Sequence, residues 1–168
     1  ARRVLLGDSR DEQKSRVNDY EEFLGQTIGE ALLEPTRIYV KPVMEMLDSG
    51  IDLKAMVHIT SGGFCNLNRV ECDNIRFVID TLQPVPEIFN LIQDRGGVSE
   101  AEMFEVFNMG TGFCLVVEGT NEVEAVTKIC KNNDLSCQLI GQVEGCQGKE
   151  VSLPQKQLTG KGSRFQGS

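Results

Sequence analysis

No stretch of the chain approaches the roughly 20 consecutive apolar residues that a membrane-spanning helix needs. The two arginines at its start precede only Val4-Leu5-Leu6, too short an apolar run for a secretory signal. Histidine is almost missing, His58 being the only one. None of the six cysteines (Cys65, Cys72, Cys114, Cys130, Cys137 and Cys146) stands in a C-x-x-C pair, so the usual ligand spacing of a zinc site is lacking and no metal site is expected. Positive charge is scarce as well. With 17 Lys and Arg against 25 Asp and Glu, the net charge of −8 argues against a nucleic-acid surface, which needs clustered cations to neutralise phosphates. Small anionic ligands stay open, because a local pocket can be positive on an acidic protein.

What is present is ordinary for a globular protein: 40% hydrophobic and 25% charged residues in 168, enough for one good core and one domain rather than two. The chain is longer than the usual disulfide-stapled module, so the cysteines are read as reduced thiols of a cytosolic protein. Cys114 and Cys130 fall in apolar runs and are expected in the core.

Residues 1–24 read as a leading helical arm or interdomain linker, with Val17, Tyr20, Phe23 and Leu24 at helical spacing before Gly25. Residues 25–150 read as the domain proper, and 151–168 as a polar tail with little to bury. Within the domain, Thr36 to Val40 is β-prone, and Pro42 suits the first turn of a helix reaching Gly50. Leu53 to Thr60 is expected as a buried strand, as are Ile75 to Ile79 and Phe113 to Val117, and Ser136 to Val143 is expected as the last strand. Pro86 opens a helix that Gly96-Gly97 closes. Ser99-Glu100-Ala101-Glu102 is a capping box, and Asn121 is expected to cap an amphipathic helix. Strands separated by one helix or two favour an α+β domain, a mixed β-sheet packed with helices, over a doubly wound parallel one.

The strongest chemical feature is His58-Ile59-Thr60-Ser61-Gly62-Gly63. A strand ending in hydroxyl residues and paired glycines can expose successive amides as an anion-binding nest, with the Thr60 and Ser61 hydroxyls as further donors. The loop lacks the G-K-[ST] of a Walker A motif and the G-x-G-x-x-G of a dinucleotide fingerprint, and its alternative reading is a tight strand-ending turn. His58, beside it, could donate or accept a proton near neutral pH or serve the structure alone. Asn108-Met109-Gly110-Thr111-Gly112 forms a second glycine loop, running from helix to strand, the reverse of a Rossmann loop; structural use is favoured for it. Arg37 and Lys41 could place positive charge near an anionic substrate or be solvated.

Three blocks, Leu32 to Pro42 (LLEPTRIYVKP), Met56 to Gly63 (MVHITSGG) and Gly96 to Gly112 (GGVSEAEMFEVFNMGTG), closely resemble the C-terminal half of the aminoimidazole ribonucleotide synthetases, in that family's order. Pro86 to Gln93 and Ile140 to Val143 follow the same pattern, and the resemblance spans about residues 25 to 145. The family usually carries a third glycine where this chain has Ser61, which places the loop geometry in question.

The resemblance implies an AIR synthetase C-terminal-domain-like α+β fold. It also implies a part in phosphoribosylformylglycinamidine cyclo-ligase chemistry, the ATP-dependent closure of formylglycinamidine ribonucleotide to aminoimidazole ribonucleotide in purine biosynthesis. It further implies ATP and Mg²⁺ held mainly by a missing N-terminal domain, a homodimer at full length, a cytoplasmic setting, and a fragment inactive by itself. On this resemblance His58 is the catalytic candidate, and Thr60, Ser61, Gly62, Gly63, Asn108, Gly110 and Arg37 are candidates for substrate binding. Related ATP-using enzymes (a selenophosphate synthetase, a thiamine-phosphate kinase or a hydrogenase maturation factor) and a stand-alone binding module remain alternatives.

Overall fold

Local capping signals start the second and third helices in the computed structural model, which describes residues 1–167. α1 (Arg2–Leu6) is followed by α2 (Arg10–Arg16). At the start of α2 the Ser9 hydroxyl accepts from the Glu12 amide at 3.2 Å, and the Glu12 carboxylate accepts in return from the Ser9 amide at 3.0 Å. Thr27 and Glu30 repeat this capping box at α3 (Ile28–Leu33). Between the two helices, β1 (Tyr20–Glu21) pairs with β2 (Gln26–Thr27), the chain turning at Gly25 with φ 65°. The leading segment is therefore not one helical arm or a linker. Leu5 and Leu6 are buried in the main core together with Ile28.

Thr36 to Val40 forms no strand. Without a partner to complete a ladder, Thr36 to Ile38 stay exposed, Ile38 at 78%, Tyr39 already takes helical angles and Val40 begins a helix. Helix α4 (Val40–Asp48) follows, with Pro42 in its first turn as expected and Met46 fully buried. β3 (Ala55–His58), β4 (Ile75–Ile79), α5 (Glu87–Gly96), α6 (Glu100–Val106) and β5 (Phe113–Val116) fall where the sequence placed them. Gly97 closes α5 in the left-handed conformation, φ 58°. Ser99 caps α6 through the Glu102 amide, but the return bond of the box is not made. α7 (Gly119–Asn132) begins before Asn121, which sits inside its first turn instead of capping it, because the chain already bends at Gly119, φ 83°.

The largest departure comes at the end. The strand expected over Ser136 to Val143 is β6 (Gly141–Gly145), and it is not the last. β7 (Lys149–Leu153), β8 (Leu158–Lys161) and β9 (Arg164–Gly167) follow, in the region expected to be a polar tail. Val151, Leu153, Leu158 and Phe165 from these strands are buried in the main core. Residues 151–167 therefore belong to the same core as residues 25–150 and leave no boundary at 150.

These strands form a five-stranded mixed sheet in the order β6-β4-β7-β8-β9. β4 lies antiparallel to β6 and parallel to β7. The connection between β6 and β7 passes over the start of β4, where the Asn74 carbonyl accepts from the Cys146 amide at 2.9 Å and its side chain accepts from the Gly148 amide at 3.3 Å. β3 and β5 make a separate antiparallel ribbon, with His58 opposite Phe113. One face of the ribbon (Val57, Cys114, Val116) packs into the main core; the other (Leu115, with Val117 just beyond) meets Met46 of α4 and Val126, Ile129 and Cys130 of α7. With α1, α5 and α6 in the main core beside the five-stranded sheet and α4 and α7 in the second core, this is an α+β domain, as the sequence predicts.

Candidate functional site

The alternation of β3 decides which groups face outward at its end. Val57 and Ile59 are buried, so His58 and Thr60 project from the opposite face and are exposed. The Ile59 amide donates to the Gly112 carbonyl at 2.9 Å, which extends the pairing one residue past the ribbon. The segment leaving β3 (Thr60 to Gly63) and the segment entering β5 (Asn108 to Gly112) therefore meet at the same end of the ribbon.

Gly62 (φ 103°) and Gly63 (φ 50°) both turn through the left-handed region, where a side chain is strained. The Gly63 amide closes the turn by donating to the Thr60 carbonyl at 2.9 Å. Asn66, 2% exposed, donates from its side-chain amide to the Ser61 carbonyl at 3.3 Å and holds the loop from beneath. Ser61 has no positive φ, so its β-carbon is accommodated and serine in place of the family's glycine leaves the turn undisturbed. Thr60 and Ser61 are exposed, and neither hydroxyl bonds to any described residue. The loop thus presents two free hydroxyls beside a glycine, while one of the amides of the expected nest is committed to the turn.

The His58 ring packs edge-on against Tyr39, centroids 5.9 Å apart, and lies 6.0 Å from the Phe113 ring. Tyr39 in turn covers Phe113 at 4.9 Å, and its hydroxyl occupies the space a side chain at Gly112 would need, 2.1 Å from that β-carbon position. Burial pushes the Tyr39 phenol above its ordinary range. The imidazole is therefore oriented by aromatic contacts and keeps both ring nitrogens free of bonds to described residues.

Asn108 and Gly110 serve the second loop internally. The Asn108 side chain accepts from the Gly110 amide at 3.1 Å, and its carbonyl accepts from the Thr111 amide at 2.8 Å. A side chain on Gly110 would meet the Pro86 ring at 2.7 Å, and φ there is 95°. Close packing and backbone conformation account for this glycine.

A cavity of about 510 Å³ opens between the edge of β5, the strands β4 and β6, and the helices α4 and α7. Arg37, Tyr39, Gly110 and Phe113 are on its wall. Arg37 is exposed and pairs with Glu34 at 3.6 Å. His58, Thr60, Ser61, Gly62 and Gly63 do not line this cavity. The structure thus splits the predicted residues in two, the hydroxyl loop at the ribbon's end and Arg37 with Gly110 on the cavity wall.

One cation beside the loop escaped the sequence reading. Arg69 ends the 3-10 helix Gly63–Arg69, and its Nη2 lies 3.7 Å from the position a β-carbon on Gly62 would take. It is exposed and has no carboxylate partner among the described residues. The available signal was a basic residue one short helix downstream of the glycine pair, too common a pattern to single out.

A two-stranded ribbon ending in a hydroxyl-and-glycine loop, sharing its core with a five-stranded mixed sheet, defines an α+β domain. The chain belongs to the family described as AIR synthase related protein, C-terminal domain, which matches residues 4–154. It is similar to proteins named phosphoribosylformylglycinamidine cyclo-ligase. The relative from Methanocaldococcus jannaschii is 44% identical over 145 residues, covering 85% of this chain and 39% of its own length. That from Methanococcus maripaludis (strain C7) is 40% identical over 144 residues, 86% of this chain and 39% of the relative. The Bacillus licheniformis protein is 42% identical over 149 residues, 88% and 41% respectively. The chain spans about two fifths of the length of these relatives. No helix among the described residues is long and apolar enough to cross a membrane.

Proposed function

We propose that this chain is the C-terminal domain of a phosphoribosylformylglycinamidine cyclo-ligase and that its hydroxyl loop holds the phosphorylated substrate, formylglycinamidine ribonucleotide. The observation that carries the reading is the free Thr60 and Ser61 hydroxyls at the end of a ribbon whose family is shared with enzymes of that name. In the reaction, ATP phosphorylates the formyl amide oxygen, an amidine nitrogen attacks the activated carbon, and phosphate leaves as the imidazole ring closes. Holding the nucleophile close makes that attack intramolecular.

Within this scheme Thr60, Ser61 and Gly62 contact an anionic group, and His58 donates or accepts a proton at the reacting end. Gly63, Asn108 and Gly110 shape the two turns. Arg37, on the cavity wall, would serve a different part of the substrate. ATP and Mg²⁺ are assigned mainly to the preceding domain of the full-length enzyme, as the family implies. A homodimer in the cytoplasm, without nucleic acid, completes the proposal.

The test compares this chain with a full-length protein that adds the preceding domain. Cyclisation is expected only from the latter, and His58→Asn or Thr60→Val in it should lower kcat/KM about tenfold or more while the fold is kept. Steady turnover by the 168-residue chain alone, or unchanged kinetics in both variants, would defeat the proposal.

A further inference from the structure

The hydroxyl loop holds donors but little charge of its own. Thr60 and Ser61 offer neutral hydroxyls, and Gly63 spends its amide within the turn. The protein as a whole is acidic, at −8, so an anion approaching this end needs a local cation. Arg37 belongs to the segment before α4 and Lys41 to the first turn of that helix, and Arg37 already faces Glu34. Arg69 is different. Its guanidinium is beside Gly62, with no carboxylate among the described residues to neutralise it.

We infer that Arg69 is the charged member of the loop site, and that together with the Thr60 and Ser61 hydroxyls it binds a phosphate monoester dianion. This rests on the loop reading above and adds to it the residue that selects for charge. A planar guanidinium supplies paired donors that match two phosphoryl oxygens, and the hydroxyls can serve a third. The path of the chain explains the placement. Phe64, Cys65, Asn66 and Leu67 are buried, which pins the 3-10 helix to the core, and the chain brings the exposed Arg69 side chain back over the glycine it left. Asn66 keeps the loop carbonyls turned inward through its side-chain amide, so that they do not face the anion.

The test uses the chain itself, labelled with ¹⁵N and titrated with inorganic phosphate at constant ionic strength. Thr60, Ser61 and Gly62 amides and the Arg69 Nε–H are expected to shift along one binding curve. Arg69→Gln should weaken that binding about tenfold, and Arg69→Lys by a few fold, since a lysine keeps the charge but loses the paired donors. Arg10→Gln, an exposed change on α2 of equal charge, should leave the curve in place. If phosphate moves the loop amides equally well in Arg69→Gln, Arg69 has no part in the site while the loop reading stands. If Arg10→Gln weakens binding as much, the effect is general electrostatics and the inference fails. If phosphate moves none of the loop amides in the unaltered chain, both readings fall together.

Discussion

Gly63 lies against the main chain of Phe104 so closely that a β-carbon on it would be 1.9 Å from the Phe104 carbonyl oxygen. The contact joins the loop leaving β3 to helix α6, and with it the two glycine turns at the ribbon's end. It also sets the depth at which Thr60 and Ser61 emerge. Glycine is required there by space and by backbone angle together.

Gly63→Ala should therefore destabilise the protein by about 3 kcal/mol or more, since neither neighbouring backbone can yield and φ 50° is strained for alanine. A urea titration checks it, and a midpoint within error of the parent would show that the turn can relax.

Ser61 predicts the opposite behaviour. Its backbone is not in the left-handed region, so restoring the family's glycine relieves nothing and frees the unfolded chain. Ser61→Gly should cost about 0.5–1 kcal/mol. A more stable variant would mean that serine is strained in this turn.

Phe165 is 6% exposed and carries β9 into the main core against α6. Phe165→Ala should cost about 3–4 kcal/mol, measured by thermal or urea unfolding. A residue on a loose tail would cost almost nothing, so the result separates the structure from the tail expected of residues 151–168.

Across the parallel pairing of β4 with β7, Arg76 stands opposite Glu150 and donates from Nε to its carboxylate at 2.5 Å, while Lys161 approaches the other oxygen at 3.4 Å. Burial pushes the Glu150 carboxyl up, but the two cations more than offset this and hold it below the usual glutamate range. A carboxylate lowered in the folded state stabilises the protein above its unfolded pKa, and that contribution is lost as pH falls through the folded value. Stability should therefore decline on acidification below the ordinary glutamate range. Arg76→Met should lower the urea midpoint at pH 7, with a gap that narrows as the pH falls. A gap that widens toward acid would contradict the assignment.

All six cysteines are free thiols. Desolvation by burial pushes Cys114 and Cys130 up to about 12 and Cys65 up to about 11, whereas Cys72 is exposed. The thiolate is the reactive form, so a maleimide at neutral pH should label Cys72 first and reach Cys65, Cys114 and Cys130 only as the protein unfolds. Mass mapping of a time course decides it, and early label on Cys114 would show an open core.

Much of this architecture was written locally. Ser99 and Gly97 bound their helices through bonds within a few residues, and β3, β4 and β5 announce themselves as short apolar runs between turns. Two capping boxes, Ser9 with Glu12 and Thr27 with Glu30, are equally local. Thr36 to Val40 shows the limit of propensity: a β-prone segment makes no strand where no neighbour offers a ladder.

By itself the sequence determined the helix boundaries at Ser99 and Gly97, the three short strands β3, β4 and β5, and the resemblance to a family. Each depends on residues within a turn or two, or on motif order. Only the tertiary structure decided that the polar-looking end supplies β7, β8 and β9, that the two glycine loops meet, and that Arg69 returns to Gly62 while Arg37 goes to the cavity. These outcomes depend on partners distant in the chain or on how a turn folds in space. Half-buried strands show only alternate residues to the core, so their composition looks like that of a solvated tail until the neighbouring strand is in place.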